Sequence, residues 1–400
     1  MYYNILIVYL YLLILFPQGS IPLIDVRYKE IGLALILGYF LFKLLLDKKV
    51  FRVSMKVLTL LIVWTTFVIL MAFNGLINGN DTSYIISEMS SLLLIWLIYP
   101  FMYIKKLTTN NNILLKHLII STGIVSLLYL LIIFVTFVGI INDWQTINDF
   151  LVNYGLGSFL PNNNFYRLFL KANFFIMVAV ILSIYLYVNN RKLIYLFHII
   201  PGLLVTFLSG TRGLMIPILL FLIMYIFLTK RKNILGLLPI FMFIFLLIVP
   251  NIIMFTNLEE SPSFRSINPF FEDGGNSIKA IQTEYIWGEI QESFILGNGL
   301  GVTYEEINRT NSVEVVYMDI LNKFGIIGFI LFLLLIYVVP LLLAIKQGRN
   351  TKEIQALIFF LLGLSITLGT NPYILSSLGM LIIILLYCTF MSPNKVRRGL

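Results

Sequence analysis

Long apolar runs separated by short polar breaks extend over most of the chain. Many of them approach the roughly 20 residues that an α-helix needs to cross the hydrocarbon core of a bilayer. Continuous apolar runs of this length, without strict alternation, predict membrane-spanning helices. The pattern predicts about twelve spans, at approximately 4–16, 31–46, 57–73, 89–104, 117–139, 173–188, 193–208, 214–229, 233–256, 325–345, 354–370 and 373–391.

Composition strengthens this prediction. The chain of 400 residues is 59% hydrophobic and only 12% charged, whereas soluble domains are about a quarter charged. We therefore expect an all-α polytopic membrane protein, with residues 1–400 forming a single transmembrane domain. The first apolar run has no preceding Lys or Arg and no small-residue cleavage site, so it is interpreted as a short span and not a removed signal. One cysteine and two histidines give no metal-ligand spacing, so no metal site and no cofactor are expected.

The charges along the chain predict its topology. If the N-terminus lies inside, every inner loop is basic, and 19 of the 28 Lys and Arg residues lie inside while 17 of the 19 acids lie outside. The positive-inside rule then puts both termini in the cytoplasm. The basic face is expected to meet anionic membrane lipid, and the net charge of +9 therefore gives no reason to expect a nucleic-acid partner.

Two outer segments are longer than connections need to be. The first runs from about 140 to 172, and the second, 257–313, lies between spans nine and ten and is rich in acids. Connections of this length are usually functional. Any chemistry is therefore expected on the extracytoplasmic side.

A glycine-rich turn holds a cation between two apolar spans. Between Lys192 and Lys230 lie 37 residues, fewer than the roughly 40 that two full crossings of ~30 Å require. The turn SGTRG, residues 209–213, should therefore be short and lie below the outer membrane surface. A buried Arg212 would then be a candidate binding residue, although a snorkelling arginine at a tight turn is the alternative.

Other outer cations strengthen the binding hypothesis. Arg167 and Lys171 precede span six and would share one helix face if helical. Arg265 and Arg309 lie in the acidic outer segment, where pairing with acidic neighbours explains them equally well. Guanidinium groups suit bidentate capture of phosphate oxygens. The set favours a ligand that carries phosphate and is anchored in the outer leaflet.

Four segments in this order resemble the O-antigen ligase and repeat-unit polymerase superfamily of bacterial envelope polysaccharide synthesis. They are YRLFLKANFF, LVTFLSGTRGLMIPILLFL, FILGNGLGVTYEE and NSVEVVYMDILNKFGIIGFILFLLLIY. The resemblance covers roughly residues 160–345. It implies a GT-C-like multi-pass protein of the inner membrane that acts on undecaprenyl-diphosphate-linked oligosaccharide. It also implies that Arg212 and Arg167 hold the diphosphate, and that a flippase and a chain-length regulator are partners. Arg265 and Lys171 are further candidates for diphosphate binding, because they are cations on the same predicted side.

One departure from the ligase pattern points to polymerisation. Ligases typically carry His-Asn eleven residues before the first glycine of the Gly-hydrophobic-hydrophobic-Gly motif. Counting back eleven residues from Gly325 reaches Glu314, followed by Val315. Glutamate at this position resembles many polymerases and is the expected general base. A solvated acid at the start of a helix is the alternative interpretation. A ligase or a lipid-linked oligosaccharide flippase remains the alternative function.

Aromatic residues on the outer side are candidates for stacking on sugar faces. Interfacial anchoring explains such residues equally well. The GNGLG stretch, residues 297–301, is interpreted as a loop turn and not a nucleotide cradle, because no βαβ unit surrounds it. His198 is expected to be hydrogen-bonded within the helix bundle. The sugar-binding candidates are Trp144, Tyr154, Phe159, Trp287 and Tyr317.

Overall fold

Most of the chain is helical. The computed structural model describes residues 2–17, 20–21, 26–46, 55–108, 113–140, 143–162, 165–190, 192–228, 274–307, 313–349 and 351–390. The described α-helices are α1 Tyr2–Leu15, α2 Tyr28–Leu46, α3 Met55–Ile77, α4 Thr82–Leu93, α5 Ile98–Thr108, α6 Ile113–Phe137, α7 Trp144–Asn153, α8 Asn173–Asn190, α9 Leu196–Leu208, α10 Arg212–Leu228, α11 Gly274–Glu292, α12 Val316–Leu333, α13 Val339–Lys346, α14 Thr351–Thr370 and α15 Ser377–Phe390.

By length and composition, four helical stretches could cross a membrane: Val57–Ile77, Thr82–Tyr103, Ile113–Phe137 and Val316–Lys346. The shorter apolar helices are Tyr3–Leu15, Asn173–Val188, Leu193–Leu208, Gly213–Tyr225, Glu353–Gly369 and Ser377–Thr389. Each predicted span coincides with a described helix except 233–256, which lies outside the described residues. These long apolar helices are those of a membrane protein.

The protein is not strictly all-α, because part of the connection between α6 and α8 forms a β-hairpin. Strand β3, Gly157–Asn162, pairs antiparallel with β4, Phe165–Leu170. An earlier short pair, β1 Ser20–Ile21 and β2 Val26–Arg27, lies between α1 and α2. The later hairpin follows the period of two that strands impose. Cross-strand partners Phe159 and Leu168 are both fully buried, while Leu160 and its partner Arg167 are exposed.

The second long polar segment, 257–313, also forms regular structure where it is described. Residues 274–292 form helix α11, which packs its Ile286 and Ile290 against Tyr304 and Val313 in a small second core. The GNGLG stretch is a loop, as predicted, and it docks against the bundle. Asn74 Nδ2 at the end of α3 donates to the Gly297 carbonyl at 2.8 Å, and Leu300 N donates to the Met71 carbonyl at 3.0 Å.

Helix α12 is broken at Gly325, and the GNGLG loop enters the break. Gly325 has φ 61° and ψ −177°, a conformation that is essentially restricted to glycine. The break frees backbone groups, which the loop satisfies. Gly299 N donates to the Lys323 carbonyl at 3.0 Å, and Ile326 N donates to the Phe294 carbonyl at 2.9 Å. A break at membrane depth is tolerated when protein groups satisfy the backbone in this way.

We expect Gly325→Ala to destabilise the protein much more than Gly348→Ala. Both glycines have left-handed φ, 61° and 66°, which costs a non-glycine residue roughly 1–2 kcal/mol. A Cβ at Gly325 would also overlap the Ile295 carbonyl, whereas a Cβ at Gly348 meets nothing within 4 Å. Thermal unfolding of both variants in detergent micelles measures the difference. Equal losses of stability would contradict the docking of the loop into the break.

Candidate functional site

The SGTRG turn is short, as its spacing predicts. Helix α9 ends at Leu208 and α10 begins at Arg212. Gly210 takes φ 61° in the turn, and Ser209 is fully buried with its hydroxyl donating to the Thr206 carbonyl at 2.7 Å. Burial of the turn in protein is what a non-helical segment below the membrane surface requires. The Arg212 side chain lies outside the described part of the structure, so its role as a ligand to diphosphate stays a prediction.

Arg167 lies directly on this turn. Its Nε donates to the Ser209 carbonyl at 2.9 Å. This hydrogen bond holds one edge of the Arg167 guanidinium against the turn that precedes Arg212. The turn therefore sets the orientation of the guanidinium group. The prediction that Arg167 could hold a ligand at the same place as Arg212 is compatible with this geometry.

Lys171 does not share a helix face with Arg167, contrary to the prediction. Arg167 belongs to strand β4, and Lys171 lies in the turn that joins β4 to α8. In FYRLFL, buried Leu168 follows exposed Arg167, which is the alternation of a strand. The segment is therefore a strand and not the helix that the prediction assumed. Burial lowers the pKa of the Lys171 ammonium, since burial disfavours the charged form.

Glu314 lies just before helix α12 and not within it. The helix begins at Val316, two residues after Glu314. Oε2 of Glu314 lies 3.8 Å from Nζ of Lys279 on α11, and about a third of the Glu314 side chain is exposed. Its backbone N donates to Oε1 of Gln282, also on α11, at 2.9 Å. Helix α11 therefore fixes the position of the predicted base.

The end of helix α14 contacts both the start of α10, which carries Arg212, and the start of α12, which follows Glu314. On one side, the Thr367 hydroxyl donates to the Gly213 carbonyl at 2.8 Å, one residue from Arg212. On the other side, Gly369 faces Tyr317, whose ring lies 3.2 Å from where a Cβ on Gly369 would stand. Tyr317 follows Glu314 by three residues, so the starts of α10 and α12 flank the same helix end.

Tyr373, in the connection after α14, is influenced by both predicted charges. Its side chain is 4% exposed. Burial raises the pKa of Tyr373, while the Arg167 charge lowers this pKa and the Glu314 charge raises it further. Sequence reasoning did not identify Tyr373, because a tyrosine at the end of an apolar span carries no motif.

The predicted sugar-stacking residues have different environments. Trp287 on α11 is 49% exposed, and Tyr154 contacts Phe150 with ring centroids 4.9 Å apart. Trp144 packs half-buried against the core. Tyr317 hydrogen-bonds the Tyr337 hydroxyl at 2.8 Å and the Ser365 carbonyl at 3.1 Å, so its polar end is engaged between helices.

Three sequence predictions need separate mention. Phe159 is fully buried, so stacking on a sugar is excluded for it. Arg265 and Arg309 lie outside the described residues. His198 is hydrogen-bonded within the bundle, as predicted, to the Thr122 and Ser183 hydroxyls at 2.9 and 3.1 Å.

A buried ionic cluster lies beside the docked loop and was not predicted. Nζ of Lys323 lies 2.7 Å from Oε1 of Glu88 and 3.0 Å from Oδ1 of Asp319. The Tyr304 hydroxyl donates to Asp319 at 2.5 Å, and the Gly301 N donates to Oε2 of Glu88 at 2.9 Å. The three charged side chains are at most 8% exposed. The signal in the sequence was the pair Asp319 and Lys323, one helical turn apart in an otherwise apolar stretch.

The cluster holds structure together and is not an open site. Each charged group is paired, and the cluster links α4, α12 and the loop that contains Gly301. Buried charges require such pairing because an isolated charge pays a large desolvation cost.

A separate cavity of about 330 Å³ lies at the opposite end of the helices. Its walls are mostly apolar, from α6, α8, α14 and α15, with Arg349, Glu353 and Thr389 at its polar edge. It includes neither Arg167 nor Glu314. The charged and polar groups of the proposed site lie at the other end of the helices, and convergent polar groups are what a site for a charged ligand requires.

We expect Lys323→Met to lower the free energy of unfolding by about 3–5 kcal/mol, because it leaves two buried carboxylates without their cation. The matched control is Arg349→Met, which removes a partly exposed pair with Glu353 and should cost no more than about 1 kcal/mol. Thermal unfolding in detergent compares them. If Lys323→Met does not fold, the triple variant Lys323→Met, Glu88→Gln, Asp319→Asn should recover folded protein. A Lys323→Met variant as stable as Arg349→Met would contradict the account.

Comparisons with known proteins add no family to this geometry. No protein-family model matches the chain, and no curated protein matches it.

Proposed function

We propose that the chain is a membrane glycosyltransferase that joins undecaprenyl-diphosphate-linked oligosaccharide repeat units into a polysaccharide at the outer face of the bacterial plasma membrane. The product would be O-antigen, a capsular polysaccharide or an exopolysaccharide. The proposed architecture has twelve spans, with both termini in the cytoplasm. The observation that carries the proposal is that Arg167 lies on the α9–α10 turn while the starts of α10 and α12 both pack against the end of α14, with Glu314 just before α12.

In this proposal the cations hold the departing diphosphate. Arg167, anchored through Nε on the Ser209 carbonyl, directs its remaining nitrogens at phosphate oxygens, and Arg212 and Lys171 add positive charge. Stabilising the charge that develops in the transition state commonly contributes more to catalysis than any other single effect. Fixed guanidinium groups take the role that a divalent cation has in other transferases.

Glu314 is the proposed general base. It removes the proton from the acceptor hydroxyl as the hydroxyl oxygen forms a bond to the anomeric carbon of the donor sugar. The bond between that carbon and the diphosphate oxygen breaks, and its electron pair leaves with the diphosphate. The part-exposed position of Glu314 beside α11 gives an acceptor access to the carboxylate from the aqueous side.

The residue available as general base favours a polymerase over a ligase. Ligase-type chemistry would use a histidine at the position of Glu314. The two histidines of the chain, His117 and His198, are hydrogen-bonded to side chains of the helix bundle. A flippase and a chain-length regulator are the proposed partners in the same pathway.

The proposed topology predicts opposite labelling of two exposed threonines. Thr283 on α11 and Thr351 at the start of α14 are both exposed. In intact cells an impermeant thiol reagent should label Thr283→Cys and spare Thr351→Cys, while permeabilised cells should label both. Cys388 is buried, so the unmodified protein supplies the background. The reverse pattern would overturn the topology and, with it, an outer active site.

We expect Glu314→Gln to bind substrate and to lose transfer by roughly 10²-fold or more, since general-base catalysis contributes about that much. The amide keeps the shape of the carboxylate but cannot accept the proton. The measurement is chain synthesis by purified protein from a lipid-diphosphate repeat unit, with binding followed in parallel. Glu284→Gln on the exposed face of α11 is the matched control and should keep full activity. Chain synthesis by Glu314→Gln at the control rate would remove Glu314 from the mechanism.

A further inference from the structure

Close to the proposed site, three buried side chains carry polar atoms that have no hydrogen-bond partner among the described residues. They are the Tyr373 hydroxyl, both amide atoms of Asn173 and Nε2 of Gln282. Their residues are 4%, 0% and 1% exposed. An unpaired buried polar group costs about 1–3 kcal/mol, and most such groups in folded proteins are paired. Of the five described residues with such atoms, these three lie on elements at the proposed site, where a ligand could pair them, whereas Tyr99 and Gln347 lie elsewhere.

Contacts connect these three side chains to the elements that follow Arg167 and precede Glu314 in the fold. The Tyr373 ring stacks on Phe174, with centroids 4.9 Å apart and an interplanar angle of 27°. Phe174 directly follows Asn173 at the start of α8. Gln282 accepts a hydrogen bond from the Glu314 backbone N through Oε1. Its Nε2 has no partner among the described residues.

The hydrogen-bonding capacity of this set is specific. Burial raises the pKa of Tyr373, so its hydroxyl keeps the proton at neutral pH and can donate. The Asn173 carboxamide offers a donor and an acceptor, and Gln282 offers a donor. Neutral groups of this kind beside a guanidinium match a ligand that has anionic oxygens next to hydroxyl groups. An apolar ligand would leave all of them unpaired.

We propose that Tyr373, Asn173 and Gln282 line the ligand site beside Arg167 and Glu314 and hydrogen-bond a phosphorylated carbohydrate where the sugar joins the diphosphate. This assignment rests on the proposed function and adds the residues that recognise the sugar end of the substrate. It makes Tyr373 a ligand-binding residue of the proposed site.

Tyr373→Phe tests the proposal because ligand binding and folding respond differently. Without ligand the variant removes an unpaired buried hydroxyl, so thermal stability should stay equal or rise. With ligand it loses a donor, so affinity should fall by about tenfold. The matched control is Tyr387→Phe, whose buried hydroxyl donates to the Leu335 carbonyl at 2.9 Å. This control should lose stability and keep its affinity.

The probes are farnesyl diphosphate and farnesyl-diphospho-N-acetylglucosamine, titrated against purified protein in detergent micelles. We expect unmodified protein to bind both probes and Tyr373→Phe to weaken binding of the sugar-bearing probe. Asn173→Ala provides a second variant with the same expectation, should Tyr373→Phe fail to fold. Equal affinity of the unmodified and variant proteins for the sugar-bearing probe would overturn the assignment and leave the proposed function standing. If unmodified protein binds neither probe, the proposed function fails, and the assignment fails with it.

Discussion

The pairing of Lys323 with Glu88 and Asp319 is the interaction on which the end of the described structure that carries Glu314 depends. It joins two helices and a loop that are far apart in sequence, and it does so where a charge without a partner would be prohibitively costly. Glu88 also accepts from the Gly301 backbone. The ionic cluster and the backbone of the glycine loop therefore form one unit, and neither can be removed without leaving buried polar groups unpaired.

This unit positions the proposed site. The loop enters the break of α12 at Gly325, which fixes the start of that helix and the residues just before it. Helix α11 precedes the loop and holds Glu314 through Gln282 and Lys279. On the other side, Arg167 rests on the α9–α10 turn, and α14 connects the two halves through Thr367 and Gly369. The geometry of a polar site at one end of an apolar bundle thus follows from a few backbone and ionic contacts.

The sequence predicted the helices well, while the assignment of site residues stays a prediction. Apolar runs fix where helices can form, and the distance between Lys192 and Lys230 required the short turn that the structure contains. The β-hairpin around Arg167 was missed, because the polar flanks of a long loop hide a short alternating strand. Tyr373 and Asn173 could not have been predicted, since their significance comes from having no partner once the fold has buried them. Lys323 was visible as a charge in an apolar stretch, but its partner Glu88 is distant in sequence, and only the fold brings the two together.

The central claim is that the chain polymerises lipid-linked repeat units, and the glycans of cells that lack it test this claim most directly. Mass spectrometry of lipid-linked and surface carbohydrate from a deletion strain identifies the step that is lost. The account predicts single repeat units on the outer face and no longer chains, with polymer restored when the gene is returned. Full-length polymer held on the lipid carrier would indicate a ligase, and repeat units retained on the inner face would indicate a flippase. Either result would contradict the account.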